Sequence, residues 1–223
     1  MALKLELPIT YLITSGQTSA TTTPDSPEFL KILNLVEAAT VAGVSLIQIR
    51  EKNLPVRVLA DLSSRASIIT RKSETRVLIN DRVDVALAHG ADGVHLTSHS
   101  LSVNVARRLS GDDFIIGIST HSVEETVIAR DEGADFAVFG PVFETPSKLH
   151  LGEPQGLEKL RDASSSASML RVLAIGGVSL NNAEECFTAG AVGVAAIRLF
   201  ENPATLSHRV KVIKDCYKAV CSA

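Results

Sequence analysis

Tryptophan is absent from the 223-residue chain, and aromatic residues make up only 4% of it. Its core must therefore be built from Val, Ile, Leu and Ala, which suits parallel strands covered on both faces. Cysteine is scarce as well. Cys186, Cys216 and Cys221 show no CxxC or zinc-finger spacing, and an odd count fits a reducing cytoplasm better than a disulfide scaffold. None has an activating base beside it in sequence, which argues against a thiol nucleophile. No apolar run approaches the ~20 residues of a membrane helix. Met1 to Pro8 lacks the apolar stretch of a secretory signal. Nor is there an excess of one charge: 22 Lys and Arg against 25 Asp and Glu leave a net charge of -3. A strongly basic face, and with it a nucleic-acid partner, is not expected. These absences describe a soluble, cytoplasmic globular protein.

What is present is a repeat. Ala42-Gly43-Val44-Ser45-Leu46-Ile47, Gly90-Ala91-Asp92-Gly93-Val94-His95, Gly133-Ala134-Asp135-Phe136-Ala137-Val138 and Gly190-Ala191-Val192-Gly193-Val194-Ala195 share one grammar. Each reads as a helix stopped by Gly, a tight turn, then a buried strand. Filling the gaps predicts strands at about 9–14, 45–51, 76–81, 93–97, 114–120, 136–141, 170–176 and 193–199. Helices are predicted at about 26–43, 55–72, 82–90, 102–110, 122–133, 156–166, 180–190 and 204–220. Eight alternations predict a (β/α)8 TIM barrel with eight parallel strands, residues 1–223 forming one domain; an open doubly wound sheet is the alternative.

In a barrel of this kind the chemistry collects where strands end. Gln48, Arg50 and Lys52 share one parity at the end of the second strand, so all three could face the mouth and suit a phosphate or diphosphate. A solvated charge run is the competing reading. Asn80-Asp81 is a candidate pair for metal or phosphate, with Asp81 equally readable as a helix N-cap. Asp84 is expected to complement the helix dipole in the first turn. Gly176-Gly177 could cradle a phosphate through backbone N–H groups at a helix start, or form a plain tight turn. Arg198 strengthens the phosphate reading, unless it pairs with Glu201 at the surface. His121 could move a proton near neutral pH or only pack at a strand end. His95 and His99 have metal-pair spacing only on a helix, and this region reads as strand then loop. His89, His150 and His208 are expected at the surface.

Together these segments resemble the thiamin phosphate synthase/TenI superfamily. The resemblance rests on Gln48-Ile49-Arg50-Glu51-Lys52, Leu78-Ile79-Asn80-Asp81-Arg82, Gly90-Ala91-Asp92-Gly93-Val94-His95-Leu96, Gly117-Ile118-Ser119-Thr120-His121, Phe139-Gly140-Pro141-Val142-Phe143 and Ala174-Ile175-Gly176-Gly177-Val178, over residues 9–200. It implies an enzyme that joins hydroxymethylpyrimidine diphosphate to a thiazole phosphate and releases diphosphate. By the same resemblance Gln48 contacts the pyrimidine. Arg50, Lys52, Asn80, Ser119 and Lys148 hold the diphosphate, and Asp81 ligates Mg²⁺. Thr145 and Ser147 line the thiazole side, and the Gly176-Gly177 backbone takes the thiazole phosphate. The implied partners are these two small phosphorylated substrates, with neither nucleic acid nor membrane, and a homo-oligomer is allowed.

The chain departs from the synthase pattern in two places. Thr97-Ser98-His99-Ser100 follows the fourth strand, so Ser100 stands where the synthase pattern has a second Mg²⁺ carboxylate. Arg198 stands where the family usually has Ser. Ser100 and Phe143-Glu144-Thr145 look like the TenI branch, whose thiazole phosphate tautomerases use a histidine at the His121 position. A tautomerase and a non-catalytic ligand-binding barrel therefore stand as alternatives.

Overall fold

The computed structural model describes residues 6–144 and 153–222. Its strands are β1 (Ile9–Ile13), β2 (Leu46–Ile49), β3 (Arg76–Asn80), β4 (Gly93–Leu96), β5 (Ile115–Thr120), β6 (Phe136–Phe139), β7 (Arg171–Ile175) and β8 (Gly193–Ala196). They lie parallel and in sequence order, and β8 pairs with β1, Ala195 opposite Tyr11, to close the barrel. Outside them pack α1 (Pro27–Val41), α2 (Val56–Thr70), α3 (Val83–Ala88), α4 (Val103–Ser110), α5 (Val123–Asp131), α6 (Gly156–Ser166), α7 (Ala183–Thr188) and α8 (Leu206–Cys221). The expected eight-stranded barrel is the observed one, and the open sheet is excluded.

The repeat has a physical cause. Gly43, Gly90, Gly133 and Gly190 all have positive φ just past a helix end. The residue two positions on then ties the turn to the preceding strand. Asp92 accepts the Val77 N–H at 2.8 Å, and Asp135 accepts the Ile116 N–H at 2.7 Å. Ser45 does the same for Thr10, accepting its N–H at 3.2 Å. Asp135 also receives Arg107 Nη2 at 2.7 Å, so this turn is held from both sides.

Alternate strand residues enter the barrel. Its interior is packed by Ile9, Tyr11, Leu46, Leu78, Ile115, Phe136, Val138 and Leu173. Three bulky side chains fit only because their neighbours are glycine. A Cβ on Gly117 would stand 2.2 Å from Phe136 Cζ, and Cβ atoms on Gly93 and Gly193 would stand 2.6 Å and 2.8 Å from those of Ile115 and Ile9.

Strands end earlier than read from sequence. β2, β6 and β8 stop at Ile49, Phe139 and Ala196. The chain turns at once after two of them, Leu54 N–H bonding Glu51 O at 3.2 Å and Phe200 N–H bonding Ile197 O at 3.1 Å. After β6 comes Pro141, which has no N–H for a ladder.

Gly117→Ala is expected to cost about 1–3 kcal/mol by overpacking against Phe136. Thermal denaturation of Gly117→Ala, Phe136→Leu and the double variant checks this, the double variant losing less than the two single losses added together.

Candidate active site

The barrel mouth is built from the last inward positions of β2 to β5. Gln48 is buried, and its Nε2 donates to Asn80 Oδ1 at 3.3 Å. Asn80 lies beside His95 in the β3–β4 register. His95, 3% exposed, pairs its Nε2 with Ser119 Oγ at 2.9 Å. Burial first, and then the nearby Arg50 charge, push the His95 imidazole down to about 3. The Arg50 guanidinium reaches toward the loop after β1, its Nη1 3.8 Å from where a Cβ on Gly16 would stand. Gln48 with Arg50 at the end of β2, Asn80 of β3 and Ser119 of β5 thus stand around one mouth, with His95 of β4 between the last two. Amide and hydroxyl donors with a cation beside them suit an anionic leaving group.

Asp81 follows with φ 65°, and its N–H bonds His95 O at 2.8 Å. The left-handed region is costly for most side chains but tolerable for Asp. The helix-cap reading is corrected: the N-cap of α3 is Arg82, and no side chain caps that helix. Asp84 sits in the first turn as expected, and its bidentate partner Arg82 holds it down to about 2.

His121 lies just past β5. Its Nδ1 meets Gly140 O at 2.5 Å. A carbonyl only accepts, so Nδ1 carries a proton, and in the neutral ring the lone pair is on Nε2. Its own N–H bonds Glu125 Oε2 at 2.6 Å, and Ser122 caps α5 by accepting the Glu125 N–H at 3.1 Å. The cap at this helix is Ser122, and the imidazole is braced between β5 and β6.

Other expected site residues stand differently. Lys52 is exposed in the turn after β2, where strand parity no longer applies. Gly176 and Gly177 have φ 93° and 66°, and a Cβ would reach Pro141 at 2.5 Å and Phe143 at 2.6 Å. They form a tight turn under the β6 loop. They do not open a helix: Asn182 bridges Ser179 N–H at 2.7 Å and Gly177 O at 3.0 Å, and α7 begins only at Ala183. Arg198 is exposed in the turn after β8, and its carbonyl accepts Arg209 Nη1 at 3.0 Å. Thr145, Ser147, Lys148 and His150 lie outside the described residues. His208 is exposed as expected, whereas His89 is half-buried against Ser64 Oγ at 3.2 Å.

Sequence reasoning missed three groups. Glu51 is buried and accepts Gly16 N–H at 3.1 Å, Thr18 N–H at 3.2 Å and Thr18 Oγ–H at 2.7 Å, which fixes the polar loop after β1. Its parity, opposite to Gln48 and Arg50, was the available signal. His95 sits on a strand with no metal-pair spacing, and its bond to Ser119 has no local signature in the sequence. Ser100 Oγ accepts the Thr97 N–H at 2.8 Å and lies 3.1 Å from Thr97 Oγ1, so it organises its own turn.

The geometry defines a class, a closed (β/α)8 barrel with a polar, cation-bearing mouth. The chain belongs to the thiamine monophosphate synthase (TMP-TENI) family, whose sequence profile matches residues 11–200. A thiamine-phosphate synthase from Moorella thermoacetica is 41% identical over 183 residues, 82% of this chain and 87% of its own length. One from a Roseiflexus species is 41% identical over 166 residues, covering 74% and 70%. Among solved structures, the thiamine phosphate pyrophosphorylase from Pyrococcus furiosus superposes with a TM-score of 0.77 at 30% identity, covering 94% of this chain and 96% of its own.

The buried His95 has a consequence for acid stability. An imidazole held at about 3 when folded, against 6.5 ordinarily, binds fewer protons folded than unfolded. Its contribution is therefore complete above pH ~6.5 and is lost as pH falls below that value. Denaturant titrations should show about 2 kcal/mol less stability from this group at pH 5 than at pH 7. His95→Gln should flatten that part of the slope.

Proposed function

We propose that the chain condenses hydroxymethylpyrimidine diphosphate with a thiazole phosphate, giving thiamine phosphate and diphosphate, as a cytoplasmic enzyme. The observation that carries this reading is the assembly of Gln48, Arg50, Asn80 and Ser119 at one mouth in a chain of this family. Gln48, held by Asn80, offers its amide to the pyrimidine. Arg50 and Ser119 face the negative charge that grows on the diphosphate as the methylene C–O bond breaks. Diphosphate leaves more readily as that charge is matched, and the thiazole nitrogen supplies the electron pair for the new C–N bond. No protein nucleophile is needed. Lys148, Thr145 and Ser147 complete the diphosphate and thiazole sides in this reading, and the Gly176-Gly177 backbone and Arg198 serve the thiazole phosphate.

The donor set fits Mg²⁺ in one manner. Asp81 offers one carboxylate, the Ser100 oxygen is engaged by Thr97, and no group of three acidic, His or Cys side chains forms a metal site among the described residues. Magnesium commonly binds through one or two carboxylates together with substrate phosphates. Asp81 would hold an ion that arrives with the diphosphate, and the ion would supply charge neutralisation to the leaving group.

A second reading, thiazole phosphate tautomerase, is favoured by one feature: His121 has its Nδ1 proton fixed on Gly140 O, leaving Nε2 as a base.

Purified protein assayed with both substrates and Mg²⁺ should release diphosphate. Asp81→Asn and Arg50→Ala should lower kcat at least ~100-fold with the fold intact. Ser100→Asp should lower the Mg²⁺ concentration needed. Metal-independent isomerisation lost only in His121→Ala, with no diphosphate release at any Mg²⁺ level, would replace the first reading with the second.

A further inference from the structure

Residues 15–18 follow β1 without helix or strand to hold them. Among the described residues their hydrogen bonds all go to one side chain, the carboxylate of Glu51. Its Oε1 accepts Gly16 N–H at 3.1 Å, and its Oε2 accepts Thr18 N–H at 3.2 Å and Thr18 Oγ1–H at 2.7 Å. Glu51 is 4% exposed and pairs with no cation among the described residues. A buried carboxylate in that position needs its charge met by donors, and bonds to an ionised acceptor are the strong ones. Packing does not replace them. Ser15, Gln17 and Thr18 line an open cleft whose other walls include Ile32 and Leu35 of α1, so the loop has room to move on that side.

The same loop flanks Arg50. Thr14 ties down the Arg50 backbone, its Oγ1 accepting the Arg50 N–H at 2.8 Å. The guanidinium has no hydrogen bond or ion pair among the described residues, so its direction depends on the walls around it. A cation on a long, flexible stem samples many rotamers unless something limits it. Gly16 is such a wall: a Cβ there would stand 3.4 Å from Arg50 O and 3.8 Å from Arg50 Nη1. Its φ of 72° is one that glycine adopts freely. The residue that Glu51 Oε1 tethers is therefore the residue that lies against Arg50.

We propose that Glu51 is a positioning residue for Arg50. By gathering the loop onto its carboxylate it keeps Gly16 against Arg50 and holds the guanidinium for the departing diphosphate. Glu51 itself touches no substrate, since both its oxygens are engaged and buried. The diphosphate clause rests on the reading given above, that Arg50 contacts the leaving group, and the test separates the two.

Glu51→Gln is the informative variant. An amide keeps the size but has one oxygen, so when that oxygen serves Thr18, an NH₂ donor faces the Gly16 N–H and the tether is lost. Nitrogen-15 relaxation of the Arg50 side-chain Nε–H, assigned by its loss in Arg50→Ala, reads the positioning directly. The Arg50 side chain should be ordered in the wild type and mobile in Glu51→Gln. Calorimetric titration with magnesium diphosphate reads the consequence. Glu51→Gln should weaken binding about 3–10-fold, the range for freeing one rotamer-rich side chain. The double variant Glu51→Gln/Arg50→Ala should bind no more weakly than Arg50→Ala alone. A purely structural carboxylate would lower the melting temperature and leave both readouts of the folded protein unchanged. Thr18→Val removes one of the three bonds and leaves the carboxylate in place. It should move both readouts in the same direction by less, and it serves as the test should Glu51→Gln not fold. An Arg50 side chain equally ordered with and without the tether overturns the proposal. So does a loss of affinity in Glu51→Gln that adds in full to that of Arg50→Ala. Wild-type affinity in Arg50→Ala overturns the diphosphate role of Arg50, and the purpose proposed for Glu51 with it, while the relaxation result still shows whether Glu51 positions Arg50.

Discussion

The contact of the Phe136 ring with Gly117 is the constraint on which the mouth depends. The ring lies over Gly117 of the neighbouring strand and meets Tyr11 of β1 inside the barrel. It therefore forms a floor for the polar layer above, and Tyr11 and His95 both rest against it. A barrel closed by eight short strands has little room to adjust, since moving one strand shifts the pairing of two neighbours. The polar groups at the mouth can be precise in position because the apolar layer beneath them is rigid.

Above that floor, charge is handled by exclusion as much as by pairing. Burial keeps His95 uncharged, and Arg50 at the rim reinforces this from above. A protonated His95 would add a second positive charge but would also put an ion among Tyr11 and Phe136. The structure instead keeps the cation at the solvent edge and uses neutral donors inside. That division suits a ligand whose charge must grow during reaction and then leave with the product.

Much of this was legible in the sequence. The Gly-Ala-Asp turns announced the alternation because the glycine and the acid each have a local backbone duty. Gln48 was placed at the mouth by parity within a strand, and Asn80 by its position at a strand end. Parity stops short of Lys52 because β2 ends at Ile49 and the chain then turns. The expected helix start at Gly176-Gly177 failed for a different reason. Asn182 closes a turn of its own, and a side chain bridging two backbone groups leaves no periodic pattern to read. His95 was hidden because its partner Ser119 lies 24 positions later.

Glu51 brings a matter of timing. The loop after β1 takes its form from a carboxylate that follows β2, up to 35 positions further along. During synthesis, which proceeds at roughly 5–20 residues per second, that loop leaves the ribosome seconds before its anchor does. The first βα unit therefore emerges with one of its loops unshaped, and the second unit finishes it. Barrel closure imposes the same wait at larger scale, since β1 receives its β8 neighbour only when nearly the whole chain exists. A nascent barrel of this construction exposes one bare strand edge throughout translation, which gives a cell's holding chaperones a defined surface to cover.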